Sequence, residues 1–379
     1  MCRKPVVNYG SKKYLTAGIY PSNTEYYQTF GTGDSAVTLR MFADYVHTTS
    51  ITIDKDVVLA CGNSIFITKE KTLTASDLDT GTAFVDHTDY YIYICDPSNG
   101  DESSDVEEEY KISLNSTYPE GYNESNSRKI GGFYYGRCRI ADSEGIPINT
   151  SGVRYGSGWI SNVYLGIMPN SVWTLLHRPK CDPTHMVQIT DELWSDIHFG
   201  SDDGNYGLLS LGSANPMVGS FLKFTEKVRR VGKTIPSVHD FIMMGRGSPP
   251  GADNNTNART KSDNSALGTA QTVANDTSSY NVHETTGNVH SIARDIFEMQ
   301  TKDAAAWKSV QSSMQASGIN AGSTGDLYAN GTTSVVYPRV SGAWSDSTHS
   351  GPRTILGRVE GYIYYEYNNT GVICICKAK

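Results

Sequence analysis

The sequence predicts a mainly β chain with an α+β C-terminal domain. Three observations lead there. Short β-branched and aromatic runs bounded by turn residues recur before residue 140. Helical periodicity emerges only after residue 220. Glycine (36) and tyrosine (24) are abundant, against 10 Phe and 5 Trp, a composition that suits strands and turns. The 379 residues are enough for two or three domains of roughly 100–200 residues each. Tyr, Val, Ile and Trp supply enough apolar surface for real cores, which excludes a disordered chain. Ala, Glu, Lys and Leu are too few for a coiled coil.

The formal net charge of −8 argues against a phosphate-backbone binder, so no nucleic-acid partner is expected. No apolar run approaches the ~18 residues of a spanning helix, so no membrane insertion is expected. The basic N-terminal stretch is followed by no apolar segment, so no secretory signal is expected and synthesis in a reducing cytoplasm fits. The seven cysteines are Cys2, Cys61, Cys95, Cys138, Cys181, Cys374 and Cys376. An odd count without any CxxC suggests neither a disulfide framework nor a zinc site. Most lie in apolar strand-like contexts, and buried free thiols are expected. Cys374 and Cys376 alternate with Ile373 and Ile375, which places both thiols on one strand face, where packing rather than redox chemistry is expected.

Residues 1–35 read as an extended arm or small β element. Val57–Ala60, Ser64–Thr68, Tyr90–Cys95 and Lys129–Tyr135 follow as strand candidates, and their spacing suggests a β-sandwich-like domain over 36–170. The acidic stretch from Asp101 to Glu109 reads as a solvated loop. It lacks the glycine and distal glutamate of an EF-hand. A second block, 171–379, opens with Trp173 and Trp194 in strand-like segments. Phe221, Phe224 and Val228 then share one helix face, Gly232 stops that helix, and Ser237 caps a second helix containing Phe241, Ile242 and Met244. The polar stretch 246–286 is too long for an ordinary connection and reads as functional or disordered. Trp307, Val310 and Met314 predict a further helix over Ala304–Gln315, stopped by Gly318. The tail reads as a hairpin: Tyr362–Tyr367 as one strand, Asn368–Gly371 as the turn, and Val372–Cys376 as the closing strand.

No GxSxG, HExxH, P-loop or GxGxxG is present. His185, His198 and His290 could meet carboxylates, but their spacing demands no ligand role. A more specific signal is Gly232-Lys233-Thr234-Ile235-Pro236 followed by Asp240-Phe241. It resembles the G-K-x-L-P-x-x-x-E-[WF] signature of the formylglycine-generating-enzyme branch of the C-type lectin fold. Gly287-Asn288-Val289 resembles that branch's GNV strand start. Gly342-Ala343-Trp344, with Ser350-Gly351-x-Arg353, resembles its G-[GS]-x-W…R segment. The resemblance implies a C-type lectin fold of the formylglycine-generating-enzyme type for 171–379. Its catalytic members carry a cysteine pair before the final strand, whereas Cys374 and Cys376 lie within the last strand. No oxidase, catalytic residue or cofactor is therefore expected. The EPN, QPD and WND motifs of calcium-dependent sugar binders are missing, so no metal is expected either.

The chain resembles, more closely, the phage major tropism determinants, the receptor-binding variable proteins of diversity-generating retroelements. Thr88 to Asp96 (TDYYIYICD) is similar to their TDYxIYxCD strand. Gly121-Tyr122 and Arg128-Lys129-Ile130-Gly131-Gly132-Phe133 are similar to their GY…RKVGGF. Ser171-x-Trp173, Arg178-Pro179, Asp182-Pro183-x-x-Met186 and Trp194-x-Asp196-Ile197 are similar to their SLW…RP…DPxxM…WxDI. The similarity runs from about residue 50 to the C-terminus. The N-terminal arm does not resemble the family's β-prism, which helps build its trimer. The stretch 246–286 and the segment Ala304–Gln315 also differ from the family, and the resemblance therefore implies an insertion around 246–320.

The resemblance implies a non-catalytic, host-attaching protein of the virion, placed at the tail fibre tip. Its expected partners are a host cell-surface protein or glycan, other virion tail proteins and, if the family's assembly is kept, a homotrimer. Carried over position by position, the variable surface falls at Asp346, Ser347, Thr348, His349, Arg358, Glu360, Tyr362, Tyr364, Tyr365, Tyr367 and Asn368. These residue types by themselves already make a paratope-like set. Tyr supplies rigid contact area with a hydroxyl handle, while Ser, Asn and Asp supply adaptable hydrogen bonds. Along Tyr362–Tyr367 both strand faces are Tyr-rich, where an ordinary half-buried strand would be apolar on one. The alternatives are an enzyme of the formylglycine-generating type and a structural tail component without ligand binding.

Overall fold

The computed structural model describes residues 29–30, 37–38, 41–42, 49–53, 58–61, 64–98, 107–139, 163–174, 177–204, 207–212, 214–246, 248, 277–299, 306–309, 326–329, 334–343, 351, 354–357 and 368–379. Near the N-terminus, β1 (Thr29–Phe30) pairs with β2 (Val37–Thr38). β3 (Met41–Phe42) and β4 (Ile51–Ile53) come next, then the hairpin of β5 (Val58–Cys61) and β6 (Ser64–Ile67), then β7 (Lys71–Leu73). β7 returns to β4 and completes an antiparallel sheet in the order β3-β4-β7.

The long strands follow: β8 (Thr88–Cys95), β9 (Glu109–Ser113), β10 (Ser127–Arg139) and β11 (Val163–Ile167), in the order β11-β10-β8-β9, with β12 (Trp173–Thr174) also on β10. Alternation along β8 sends Tyr90, Ile92 and Ile94 to one face. There they pack on Ile51, Ile53, Leu59, Phe66 and Leu73 of the smaller sheets in one buried cluster. Two β layers thus share a core, the sandwich expected from the strand spacing. Gly132 in β10 is required by close approach. A Cβ there would lie 2.5 Å from the Tyr90 carbonyl oxygen and 2.8 Å from the Trp173 ring.

The remaining chain is α+β. β13 (Met186–Thr190) and β14 (Leu193–Asp196) form a hairpin, as do β15 (Gly200–Asp202) and β16 (Leu208–Ser210). Helix α1 (Phe221–Arg230) buries Phe224 and Val228 on the predicted face. Ser220 accepts a hydrogen bond from Lys223 N at its start, and Lys227, Arg229 and Arg230 occupy its last turn, where the helix dipole favours cations. Gly232, at φ +72°, takes the left-handed position after the helix end. Helix α2 (Val238–Met244) starts at the predicted cap, Ser237, in a reciprocal capping box with Asp240. Neither helix is long and apolar enough to cross a membrane.

After the helices come β17 (His290–Ile292), β18 (Phe297–Met299), β19 (Ala306–Ser309), β20 (Asp326–Ala329), β21 (Ser334–Val336), β22 (Arg339–Val340), β23 (Ile355–Gly357), β24 (Thr370–Gly371) and β25 (Ile375–Lys377). Six of them form one mixed sheet, β19-β20-β23-β22-β17-β24. β25 instead joins β13 and β14 in the order β13-β14-β25, and β18 pairs with β21. Phe241 and Met244 of α2 pack with Ile197, Phe199, Val289, Val340 and Ile373. Phe224 and Val228 of α1 pack with Ile292, Val372 and Cys374.

Two expectations are corrected. Ala306–Ser309, inside the predicted helix Ala304–Gln315, is strand β19, with Trp307 opposite Tyr328 of β20. The helical spacing of Trp307, Val310 and Met314 fits a local pattern, but long-range pairing overrides local propensity. Val310 and Met314 lie outside the described residues. The segment Val372–Cys376, expected as one closing strand, is divided between two sheets, and its expected partner Tyr362–Tyr367 lies outside the described residues. Gly371 pairs in parallel with Ser291 of β17, and Ile375 and Cys376 pair with Ser195 and Trp194 of β14. Val372, Ile373 and Cys374, all fully buried, link the two sheets. A continuous apolar run marks a segment enclosed on all sides.

Candidate functional site

Of the predicted binding residues, Asn368 is described and is exposed, at the start of the turn into β24. Asp346, Ser347, Thr348, His349, Arg358, Glu360, Tyr362, Tyr364, Tyr365 and Tyr367 lie outside the described residues, as does the predicted strand Tyr362–Tyr367. The residues that bound them are described in detail.

The chain enters 344–350 from β22 and re-emerges at Gly351. Gly351 N donates to Ser341 O at 2.8 Å, Thr354 N to Gly351 O at 2.9 Å, and Ser341 N to Thr354 O at 3.2 Å. Ser341 and Thr354 are fully buried. Ser341 and Gly342 both have positive φ, +88° and +85°, a tight reversal that glycine accepts and serine adopts under constraint. Gly342 O accepts from Gly287 N at 3.1 Å, so the GNV and GAW motifs meet through their backbones. Ala343 is buried beyond this turn.

The chain leaves β23 after Gly357 and returns at Asn368, with β22 and β17 between β23 and β24 in the sheet. The returning end is held by the backbone. Asn369 O accepts from His290 N at 2.8 Å, and Thr370 O accepts from Gly219 N at 3.2 Å. Arg339 Nη1 lies 3.4 Å from both Asn369 Oδ1 and Thr370 Oγ1. Gly371 leaves little room for a side chain, since a Cβ would sit 3.0–3.1 Å from Val289 and Phe199. Both stretches that carry the candidate residues therefore leave from and return to one sheet through hydrogen-bonded ends.

Beneath this sheet a buried ion pair joins three sequence motifs. Lys233 Nζ lies 2.5 Å from Asp196 Oδ1, and Asp196 Oδ2 accepts from Cys374 N at 3.3 Å. Burial alone would lower the Lys233 ammonium, but the Asp196 carboxylate outweighs it and the net effect is upward. Burial pushes the Cys374 thiol well up, so it stays protonated and unreactive. The pair is structural, and it accounts for the lysine of the G-K-x-L-P signature without any substrate.

The sequence did not signal a histidine cluster where the sandwich meets the second block. His198 is fully buried, with its ring 4.9 Å from that of His283 and 6.1 Å from that of His87. Tyr134 Oη lies 3.2 Å from His198 Nε2 and 3.4 Å from His87 Nδ1. His283 Nε2 donates to Arg137 O at 2.9 Å, and His185 Nδ1 is 2.6 Å from Asp89 Oδ2. Desolvation holds His198 well below its ordinary value and His283 near 3, so both are neutral at pH 7. His185 does meet a carboxylate, as its type allowed. These residues come from distant parts of the chain with no fixed spacing, so no sequence pattern could have grouped them. Among the described residues, no group of three or more His, Cys, Asp or Glu is placed to hold a metal ion.

The chain's similarity to known proteins agrees with this architecture. Residues 42–160 match the profile of the Mtd second domain. The "Tail fiber receptor-binding protein" of Bordetella phage BPP-1 is 25% identical over 239 residues, covering 54% of this chain and 56% of that protein. The chain thus spans about half the length of the curated relative it matches. Two solved structures, the Major Tropism Determinant P3c and U1 variants, superpose with TM-scores of 0.61 and 0.62 at 18% identity. Each covers 87% of this chain and 81% of its own. The C-type lectin fold expected from the GKTIP, GNV and GAW segments is borne out at this level of likeness. The chain is therefore similar to the phage major tropism determinants, matching their second domain at residues 42–160 and sharing their fold.

Proposed function

We propose that this chain is a viral receptor-binding, tropism-determining protein that attaches the virion to a host surface ligand through the C-terminal face of its lectin-like domain. The observation that carries the reading is the anchoring of two stretches, 344–350 and 358–367, on one sheet by backbone hydrogen bonds, with Asn368 exposed at its end. Such an arrangement lets surface residues change while the scaffold stays fixed. The proposed contact residues are Asp346, Ser347, Thr348, His349, Arg358, Glu360, Tyr362, Tyr364, Tyr365, Tyr367 and Asn368. The curated relative's name, a tail fibre receptor-binding protein, supports the same role.

In this reading 36–170 is a sandwich-like domain, 171–379 is the ligand-binding domain with an insertion around 246–320, and 1–35 is an N-terminal arm or small β element. The partners are a host cell-surface protein or glycan and other virion tail proteins. Several copies, a homotrimer included, would add avidity. The place of action is the tail fibre tip. No catalytic step is assigned.

The test is binding of the full chain to host cells, with Tyr362, Tyr364 and Tyr365 each replaced by Ala and then all three together. Loss of cell binding with an unchanged unfolding midpoint supports the reading. Undiminished binding by the triple variant would overturn it.

A further inference from the structure

Cys181 and Cys376 carry an inference beyond the attachment role. Cys376 is buried in the last strand, and Cys181 is partly exposed in the segment after Pro179. The two segments run antiparallel. Pro179 bridges Ala378, Lys180 N donates to Lys377 O at 2.9 Å, and Lys379 N donates to Arg178 O at 2.8 Å. Those two bonds flank Pro179 and Ala378, which makes them a non-hydrogen-bonded pair. Two residues further along, this register brings Cys181 alongside Cys376, and Ile375 beyond it pairs with Thr234 instead. Neighbouring strands lie ~4.7–4.9 Å apart, within the ~4.4–6.8 Å between Cα atoms that a disulfide spans.

The side chains lie together, since Cys181 packs against the buried cluster that holds Cys376. Interaction with the Cys181 thiol holds the Cys376 thiol below its ordinary value and raises the Cys181 thiol in turn, with the buried Lys233 ammonium also favouring a thiolate. Trp173, Met186 and Trp194 enclose Cys376. On the other side, Gly232 O accepts from Cys376 Sγ at 3.7 Å, and a Cβ on Gly232 would come 3.4 Å from Cys181 Cβ. The other described thiols (Cys61, Cys95, Cys138, Cys374) are buried. Cys181 gives this pair a route to solvent that they lack.

We propose that Cys181 and Cys376 form a redox-closable pair whose disulfide ties the last strand to the 177–181 segment. With glutathione disulfide as oxidant, a thiolate of the pair attacks one glutathione sulfur and releases the other as a thiolate. The second cysteine then attacks the mixed disulfide and releases the second glutathione. Two cysteine thiols are oxidised, one glutathione disulfide is reduced to two glutathione molecules, and the two cysteine protons pass to them.

The test exposes the native full chain to glutathione disulfide, blocks remaining thiols by alkylation, and maps peptides without reduction. The expected result is a peptide pair cross-linked through Cys181 and Cys376, reversed by dithiothreitol. Recovery of both residues alkylated, or each separately glutathionylated without a cross-link, would overturn the proposal. The bond would close a loop of roughly 200 residues, so the oxidised chain should unfold about 5 °C or more above the reduced one. Cys181→Ser should abolish that difference. A cross-link without any such shift would overturn the tethering role.

Discussion

Lys233 Nζ sits 2.5 Å from Asp196 Oδ1, and both side chains are almost wholly buried. Lys233 follows helix α1, Asp196 ends β14, and the other Asp196 oxygen accepts from Cys374 N in the tail. One ion pair therefore joins three segments that are far apart in the chain. A buried charge is tolerated only when paired, so removing one partner leaves the other uncompensated.

Lys233→Met or Asp196→Asn should each destabilise the fold by about 3–5 kcal/mol, while a double replacement with apolar residues should cost less than the sum. Guanidinium unfolding of the three variants checks this. Additive losses would mean that the two charges do not depend on each other.

Stability should fall with pH below about 6.5, the ordinary imidazole value. Desolvation lowers His283 to about 3 and His177 to about 4, and His198 lies well below its ordinary value. Between those folded values and about 6.5 the unfolded chain binds more protons, so acid favours unfolding. The stability is fully present above about 6.5 and is lost as pH falls through the folded values. Each such histidine contributes a slope of at most about 1.4 kcal/mol per pH unit. Urea unfolding from pH 7 down to about 5 measures the slope, and His283→Gln should flatten it. A slope unaltered by that change would show that His283 does not contribute.

Gly132→Ala should cost about 1–3 kcal/mol, because the Cβ would collide with the Tyr90 carbonyl, which belongs to the paired strand and cannot move aside. The thermal midpoint is the readout, and an unchanged value would mean that the sheet yields more easily than close packing allows.

At the edge of the proposed binding face, scaffold and surface should separate. Asn368→Ala should leave stability within about 0.5 kcal/mol yet weaken cell binding. Arg339→Leu should cost about 1–3 kcal/mol by removing the donor shared by Asn369 and Thr370. Equal stability losses for both would argue that Asn368 belongs to the scaffold.

Ser237→Ala should lose about 1 kcal/mol, because the hydroxyl that accepts from Asp240 N would be gone. Thermal unfolding checks it, and Ser237→Asp should keep most of the stability.

The helix signals were legible because each is local. Ser237 and Gly232 act within one turn of their helices, and Phe224 and Val228 declare one face by spacing alone. The strands of the sandwich were legible to within a few residues for the same reason. Predicted Tyr90–Cys95 became Thr88–Cys95, and predicted Lys129–Tyr135 became Ser127–Arg139. Trp307 misled because a strand this short carries no period of its own, and its partner, Tyr328, lies across a sheet.

The sequence by itself determined the β-rich class, both helix caps, and the motifs that align the chain with the tropism determinants. Those depend on neighbours along the chain and on the ordered succession of short segments. Only the tertiary structure decided that the tail splits between two sheets and that Lys233 answers Asp196. It alone gathered His87, His185 and His198 around Tyr134 and packed Cys181 on the cluster that holds Cys376. Those relationships join residues tens to hundreds of positions apart, and their energies arise from desolvation and close packing once the chain has closed on itself.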